Sequence, residues 1–169
     1  MTRIADALEA VTGYIDRLTR WALIFFCGLI FSLLILQVLM RYMIRSPLIW
    51  VEELSSYTLA FLVLWGCACY VRSWQHIKVD TLLNLMPARL QDALVLLINL
   101  LLIYFGFMLS SAGYRLAMLG ANDLSDSGMF NMFWPRQAMV TGGILIIVQA
   151  SNNVSRILAG RSRILSGSG

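Results

Sequence analysis

The chain has 169 residues, 59% of them apolar and 13% charged, against about 45–50% apolar and about 25% charged in an average soluble domain. That balance, with a mean hydropathy of +0.75, excludes a water-soluble globular fold, a disordered chain, a collagen-like chain and a nucleic-acid-binding tail, because no segment is long, polar and charge-dense. The net charge of +4 is therefore read as loop charge that orients a membrane protein, with no nucleic acid as partner.

The first twenty residues mix acids with bases (Asp6, Glu9, Asp16) and lack a small-residue cleavage site after the apolar run, so they are not read as a signal peptide. Ile4, Leu8, Val11, Ile15 and Leu18 recur at helical spacing, with Asp6, Glu9, Asp16 and Arg17 off that stripe. This predicts an amphipathic helix on the inner membrane surface. Four stretches then reach the roughly 20 apolar residues needed to cross about 30 Å of hydrocarbon: 21–40, 54–71, 93–112 and 138–154. The fold class expected is all-α, with four transmembrane helices and short amphipathic surface helices.

Between spans one and two, Ser46 is predicted as an N-cap and Pro47 as a first helical residue, so span two starts before its apolar core and Glu52 and Glu53 sit near its outer end. The helix dipole favours negative charge there. After span two, Val79, Leu82, Leu83 and Met86 predict a second surface helix, ended by Pro87, which opens span three. Residues 1–165 are read as one four-span domain. The closing Ser166-Gly167-Ser168-Gly169 is read as a flexible linker or expression remnant.

Counting Lys and Arg outside the spans gives nine in the N-terminus, the loop between spans two and three and the C-terminus (Arg3, Arg17, Arg20, Arg72, Lys78, Arg89, Arg156, Arg161, Arg163). The other two loops hold four (Arg41, Arg45, Arg115, Arg136). Nine against four predicts both termini in the cytoplasm, with residues 41–53 and 113–137 on the periplasmic side of a bacterial inner membrane.

The spans are chemically quiet. A self-sufficient transporter carries intramembrane charges or Gly/Pro-broken helices near the midplane, whereas the interior polar residues here are Gln37, Asn99, Gln149, Asn152 and a few hydroxyls. These amides are read as hydrogen bonds between helices rather than substrate contacts. One histidine, His76, excludes bis-histidine haem. Cys67 and Cys69 are two apart on a helix and point to different faces, so Gly66-Cys67-Ala68-Cys69 is read as close packing rather than redox work. Gly142 and Gly143 likewise favour close helix approach. With no phosphate loop, no nucleophile beside a base and no carboxylate pair in a pocket, no enzyme, cofactor or metal site is expected.

The dense polar signal brackets span two: Arg41-Tyr42 and Arg45, then Trp50 and Glu52-Glu53, then Gly66, Arg72, His76-Ile77, Val79-Asp80 and Met86-Pro87. On composition alone these residues either mark the two membrane interfaces or contact a partner. In order and spacing they resemble the small membrane subunit of tripartite ATP-independent periplasmic (TRAP) transporters. That family shows an Arg-Tyr end to span one, a Trp-x-Glu-Glu start to span two and a Gly, Arg, His-Ile-x-Val-Asp exit with a Leu-Pro-like step. Met86 stands here for the usual Leu. The specific part covers roughly residues 40–90, and the start of span four at Phe133-Trp134-Pro135 matches only loosely.

The resemblance implies a three-part system: a periplasmic solute-binding protein captures an organic acid, a large membrane transport subunit carries it inward with sodium, and the small subunit scaffolds the large one. Arg41, Arg45, Trp50, Glu52, Glu53, Arg72, His76 and Asp80 become candidates for the partner or lipid interface. His76 and Asp80 form an i, i+4 pair or a phospholipid-headgroup contact. Asp123 and Asp126, with Arg45, are candidates for docking the binding protein, against the plainer reading of solvated loop charges. Trp21, Trp65 and Trp134 are candidate interface or lipid-boundary anchors. Two other classes stay open: an anchor subunit of a membrane-bound respiratory enzyme, and a stand-alone exporter.

Overall fold

The computed structural model describes residues 2–45, 48–73 and 88–158. Four long helices account for nearly all of them: α1 (Thr2–Leu39), α2 (Ile49–Ser73), α3 (Ala88–Leu119) and α4 (Phe133–Leu158). Each holds one of the apolar stretches, that of α1 running on to Met40 just past its end, and each is long and apolar enough to cross a membrane. Among the described residues there is no strand, only an isolated antiparallel bridge between Leu124 and Asn131.

The helices line up in the order α1, α2, α4, α3. The most extensive packing is α3 on α4, followed by α2 on α4 and α1 on α2, while α1 touches α4 only slightly. Side-chain pairs give the directions. Gln37 reaches Glu52 and Phe26 stacks on Phe61 and Trp65, so α1 and α2 are antiparallel. Tyr57 meets Met132, Trp65 meets Thr141 and Val71 meets Asn153, so α2 and α4 run parallel. Arg136 reaches Leu116 and Asn153 reaches Asn99, so α3 runs against α4. The slab has a connection end, bearing the α1–α2 and α3–α4 links, and a terminal end.

Small residues close the α3–α4 seam. A Cβ on Gly106 would meet Ile147 Cγ1 at 2.8 Å and the Gly143 carbonyl oxygen at 2.9 Å. One on Gly113 would meet Met139 Cβ at 2.7 Å, and one on Gly143 would run into Ser110 and into the Gly106 carbonyl oxygen at 2.7 Å. Gly106, Ser110, Gly113, Ala117 and Gly120 recur at alternating spacings of four and three, which keeps them on one helix face. In lipid, where burial of apolar surface gains little, such close approach supplies the dispersion contacts that hold helices together. Gly142 does the same toward α2, where a Cβ would sit 2.7 Å from Leu64 Cβ. The predicted close packing at the glycine pair is thus observed. At 66–69 it holds for Ala68 and Cys69, which are buried, but not for Gly66, which has open space beside it, nor for the exposed Cys67.

Two sequence expectations are revised. The N-terminal amphipathic segment is not a separate surface helix: α1 runs unbroken from Thr2 to Leu39, about 57 Å at 1.5 Å per residue. Within it Thr12, Asp16 and Thr19 are the buried face, whereas Val11 and Leu18 are exposed. Thr19 closes its hydroxyl onto the Ile15 carbonyl, and Asp16 Oδ2 pairs with Arg20 at 2.8 Å. Second, α3 continues to Leu119, which leaves a connection of residues 120–132 in place of a loop starting at 113. The predicted helix at 79–86, and Ser46, Pro47 and Pro87, lie outside the described residues.

Candidate functional site: the connection end

Among the described residues, a dense set of side-chain hydrogen bonds between segments lies at the connection end. α1 ends in a widened π turn, Met40–Ile44, followed by Arg45 in the left-handed region at φ 56°. Widened turns of this kind recur at functional sites, and this one displays Arg41, Tyr42, Met43 and Arg45 fully to the outside. α2 begins at Ile49, five residues before its apolar core, which places Glu52 and Glu53 in the first turns as expected.

The two neighbouring glutamates have different surroundings. Glu52 is exposed, with Gln37 Nε2 at a long 3.5 Å, and its backbone carbonyl accepts the hydroxyls of Ser55 and Ser56. Glu53 points across the slab to the 120–132 connection. Its Oε1 accepts the Ser127 backbone N–H at 3.0 Å, and its Oε2 accepts the hydroxyls of Ser125, at 2.9 Å, and Ser127. Neither glutamate lies within ion-pair distance of Arg41 or Arg45.

The connection that Glu53 holds is a compact turn. Ser125 N–H donates to the Phe130 carbonyl, Gly128 N–H to the Ser125 carbonyl and Met132 N–H to the Asp123 carbonyl. Gly128 supplies the positive φ of 70° that the reversal needs. Asn131 serves both sides: its Nδ2 donates to the Ala121 carbonyl at 2.7 Å, and its Oδ1 accepts the Phe133 N–H at 2.8 Å as the N-cap of α4. Arg136, which sequence reading treats as a loop charge, lies in the first turn of α4. It donates to the Leu116 carbonyl at 2.9 Å, satisfying the end of α3 in the space beside Gly120. Tyr57 seats the turn on α2 through an edge contact with Phe130 and a hydroxyl 3.5 Å from Met132 Sδ.

On this frame Asp123 and Asp126 are exposed, as are Leu124 and Met129, so the turn presents carboxylates and apolar side chains together. Trp50 is half-buried beside the start of α2. Sequence reading misses Ser125, Ser127, Asn131 and Arg136. The available signals are Gly128 inside a polar run and an Asn two residues before Phe133-Trp134-Pro135.

The other sequence candidates lie at the terminal end or in the spans. Arg72 falls in the last turn of α2, where only its backbone is described, and His76 and Asp80 lie outside the described residues. Trp21 and Trp134 are exposed, but Trp65 is half-buried between helices: its indole N–H donates to Thr141 Oγ1 at 3.0 Å, and its ring packs on Phe26 and Phe61. An apolar crevice of about 320 Å³ opens between α1 and α4 beside it, lined by Leu18, Ala22, Ile144 and Leu145. Among the predicted interhelical amides, Asn99 donates to the Val95 carbonyl of its own helix and its Oδ1 lies 3.3 Å from Asn153 Nδ2 on α4, while Gln37 Nε2 on α1 lies 3.5 Å from Glu52 on α2. Asn153, not singled out from sequence, also donates to the Val71 carbonyl of α2.

Comparison with known proteins gives one family. The model for tripartite ATP-independent periplasmic transporters, DctQ component, matches residues 30–160. The chain is 33% identical over 102 residues to the sialic acid TRAP transporter permease protein SiaT of Haemophilus influenzae, covering 60% of this chain and 17% of that protein. It is 33% identical over 81 residues to the C4-dicarboxylate TRAP transporter small permease protein DctQ of Vibrio cholerae, covering 48% and 35%. With the sialic acid TRAP transporter small permease protein SiaQ of Vibrio cholerae the identity is 22% over 123 residues, covering 72% and 70%. The matched part thus spans well under half the length of the first two relatives.

Proposed function

The chain belongs to the DctQ-component family of tripartite ATP-independent periplasmic transporters, and from that premise we propose that it is a non-catalytic scaffold for a large membrane transport subunit that imports an organic acid with sodium. The observation that carries this reading is the bareness of the edge helices. The most apolar window of α1 is only 6% buried and that of α3 only 11%, and α1 exposes Phe25, Phe31, Leu34, Ile35 and Val38 in succession. Two such faces suit a broad apolar contact with a second membrane protein, with lipid covering the remainder. The apolar stretches themselves hold no Asp, Glu, Lys or Arg, which leaves no ligand set for carrying an ion across hydrocarbon.

Two features of the relatives support a larger partner and an acidic substrate. The matched segment is only 17% of a longer permease polypeptide, so a segment like this chain occurs covalently joined to a much larger one. The relatives are named for sialic acid and C4-dicarboxylates, both carboxylate-bearing solutes.

In this reading the connection end faces the periplasm of a bacterial inner membrane and both termini face the cytoplasm. Asp123 and Asp126, presented on the Glu53-held turn, meet a periplasmic solute-binding protein. Arg41, Arg45, Trp50 and Glu52 contact the large subunit or headgroups at the outer interface, and Arg72, His76 and Asp80 at the inner one. Exposed Trp134 anchors the outer boundary.

Reconstitution tests the assignment. Purified chain in liposomes should show no sodium-gradient-driven uptake of organic acids, whereas the chain with its co-purifying membrane partner and binding protein should show saturable uptake. Saturable uptake by the chain alone overturns it. For orientation, a cysteine at Asp126 should react with a membrane-impermeant reagent from the periplasmic side and one at Ser162 should not. Ser125 is unsuitable because it is buried against Glu53.

A further inference from the structure

The terminal end of the slab holds a second polar cluster that none of the roles above uses. Gln149, Asn152 and Asn153 occupy little more than one turn of α4, spaced so that 149 lies on the same face as both of the others. Gln149 and Asn152 are each only 2% exposed. Asn153 Nδ2 donates to the Val71 carbonyl at 3.0 Å, in the last turn of α2, and lies 3.3 Å from Asn99 Oδ1 on α3. That accounts for the Asn153 NH₂ alone. Gln149 Oε1, Asn152 Oδ1, Asn152 Nδ2 and Asn153 Oδ1 are closed to solvent and have no hydrogen-bond partner.

Unpaired amide atoms are costly in any interior and more so where hydrocarbon surrounds the helices. Four of them within five consecutive residues of α4 call for an occupant, and their types restrict it. A metal cation would satisfy the three oxygens and leave the Asn152 NH₂ unpaired. An anion would bond that NH₂ and leave the three oxygens unpaired. Water both donates and accepts, so one molecule can serve the NH₂ and two of the oxygens, and a second the remaining oxygen. The position agrees, since these residues lie within the last turns of the span Phe133–Ser155, close to the hydrated headgroup layer. The terminal amide torsions of Asn and Gln have broad minima, so the heads can pivot to admit a small molecule. We propose that Gln149, Asn152 and Asn153 bind at least one ordered internal water, which joins α4 to the α2 and α3 contacts that Asn153 makes.

Water-edited solid-state NMR of the full chain in lipid bilayers, with side-chain amides labelled with nitrogen-15, tests this directly. The Asn152 NH₂ signal, assigned by its loss in Asn152→Leu, should receive polarisation from water several-fold faster than the fully buried backbone N–H of Ala150. Transfer no faster than at Ala150 overturns the proposal. A second measurement uses the same variant. If water bridges the cluster, Asn152→Leu strands Gln149 and Asn153 and lowers the melting temperature, and transfer to the Gln149 side chain falls. If the cluster is dry, replacing an unpaired amide by an apolar group of similar size removes a penalty. A raised melting temperature with unchanged Gln149 transfer therefore also overturns the proposal.

Discussion

α1 and α4 are both long enough to cross a membrane, and they are built on opposite plans. The span in α1 is the most apolar of the four and the least buried, whereas that in α4 is the least apolar and the most buried. In a water-soluble protein the more apolar helix would be the more enclosed. Here the order is reversed because the solvent is hydrocarbon: α1 can show Phe, Leu and Ile outward at no cost, while α4 is enclosed because Gly, Ala and Ser let its neighbours come close. The contrast also separates two kinds of interaction. The internal fold depends on small residues and a few hydrogen bonds at α4, and the large apolar faces are left for other molecules.

The contrast breaks most sharply at the glycines. Gly143→Leu must displace the Gly106 backbone and Ser110, and overpacking of this kind costs about 3 kcal/mol. Loss of monodisperse protein and a much lower melting temperature in detergent are expected. Gly28→Leu on α1, where nothing lies within 4 Å, should leave both unchanged. Equal damage from the two would show that α1 is as enclosed as α4.

The next effect is at the connection end. Glu53→Ala removes the acceptor of the Ser125 and Ser127 donors, and should make a cysteine placed at Asp126 or Met129 react, or the turn cleave, several-fold faster with a small fall in melting temperature. Glu52→Ala should leave turn reactivity alone and, if it matters, act only on complex yield. The smallest effect belongs to Trp65→Phe, which keeps the ring contacts with Phe26 and Phe61 and removes one hydrogen bond to Thr141. About 0.6 kcal/mol is expected for an interhelical bond in lipid, visible as a slight shift of the thermal midpoint.

Much of the architecture is legible in the sequence for a simple reason. A bilayer demands about 20 apolar residues per crossing, so the four spans follow from length, and the different faces of Cys67 and Cys69 from helical period. The start of α2 ahead of its apolar core follows from turn chemistry at Ser46 and Pro47. The candidate site is less legible. Glu53 meets Ser125 and Ser127 across more than 70 residues, and no local pattern announces that pairing. Helical spacing also does not separate a surface helix from the first turns of a span, which is why α1 continues where a break is predicted. Trp65 resembles a boundary tryptophan in composition and becomes a half-buried one between helices because Thr141 supplies its acceptor.

The tandem glycine of α4 has a consequence for how this chain tolerates changes of length. Consecutive residues on a helix point about 100° apart, so Gly142 opens toward Leu64 and Gly143 toward Ser110, two notches cut for two different neighbours at one height. Inserting or deleting a single residue between Phe133 and Gly142 would turn both notches away from their neighbours at once. A residue added among 120–132 leaves the rotation of α4 untouched. Variation in length should therefore collect in the turn between α3 and α4 and stop abruptly where α4 begins.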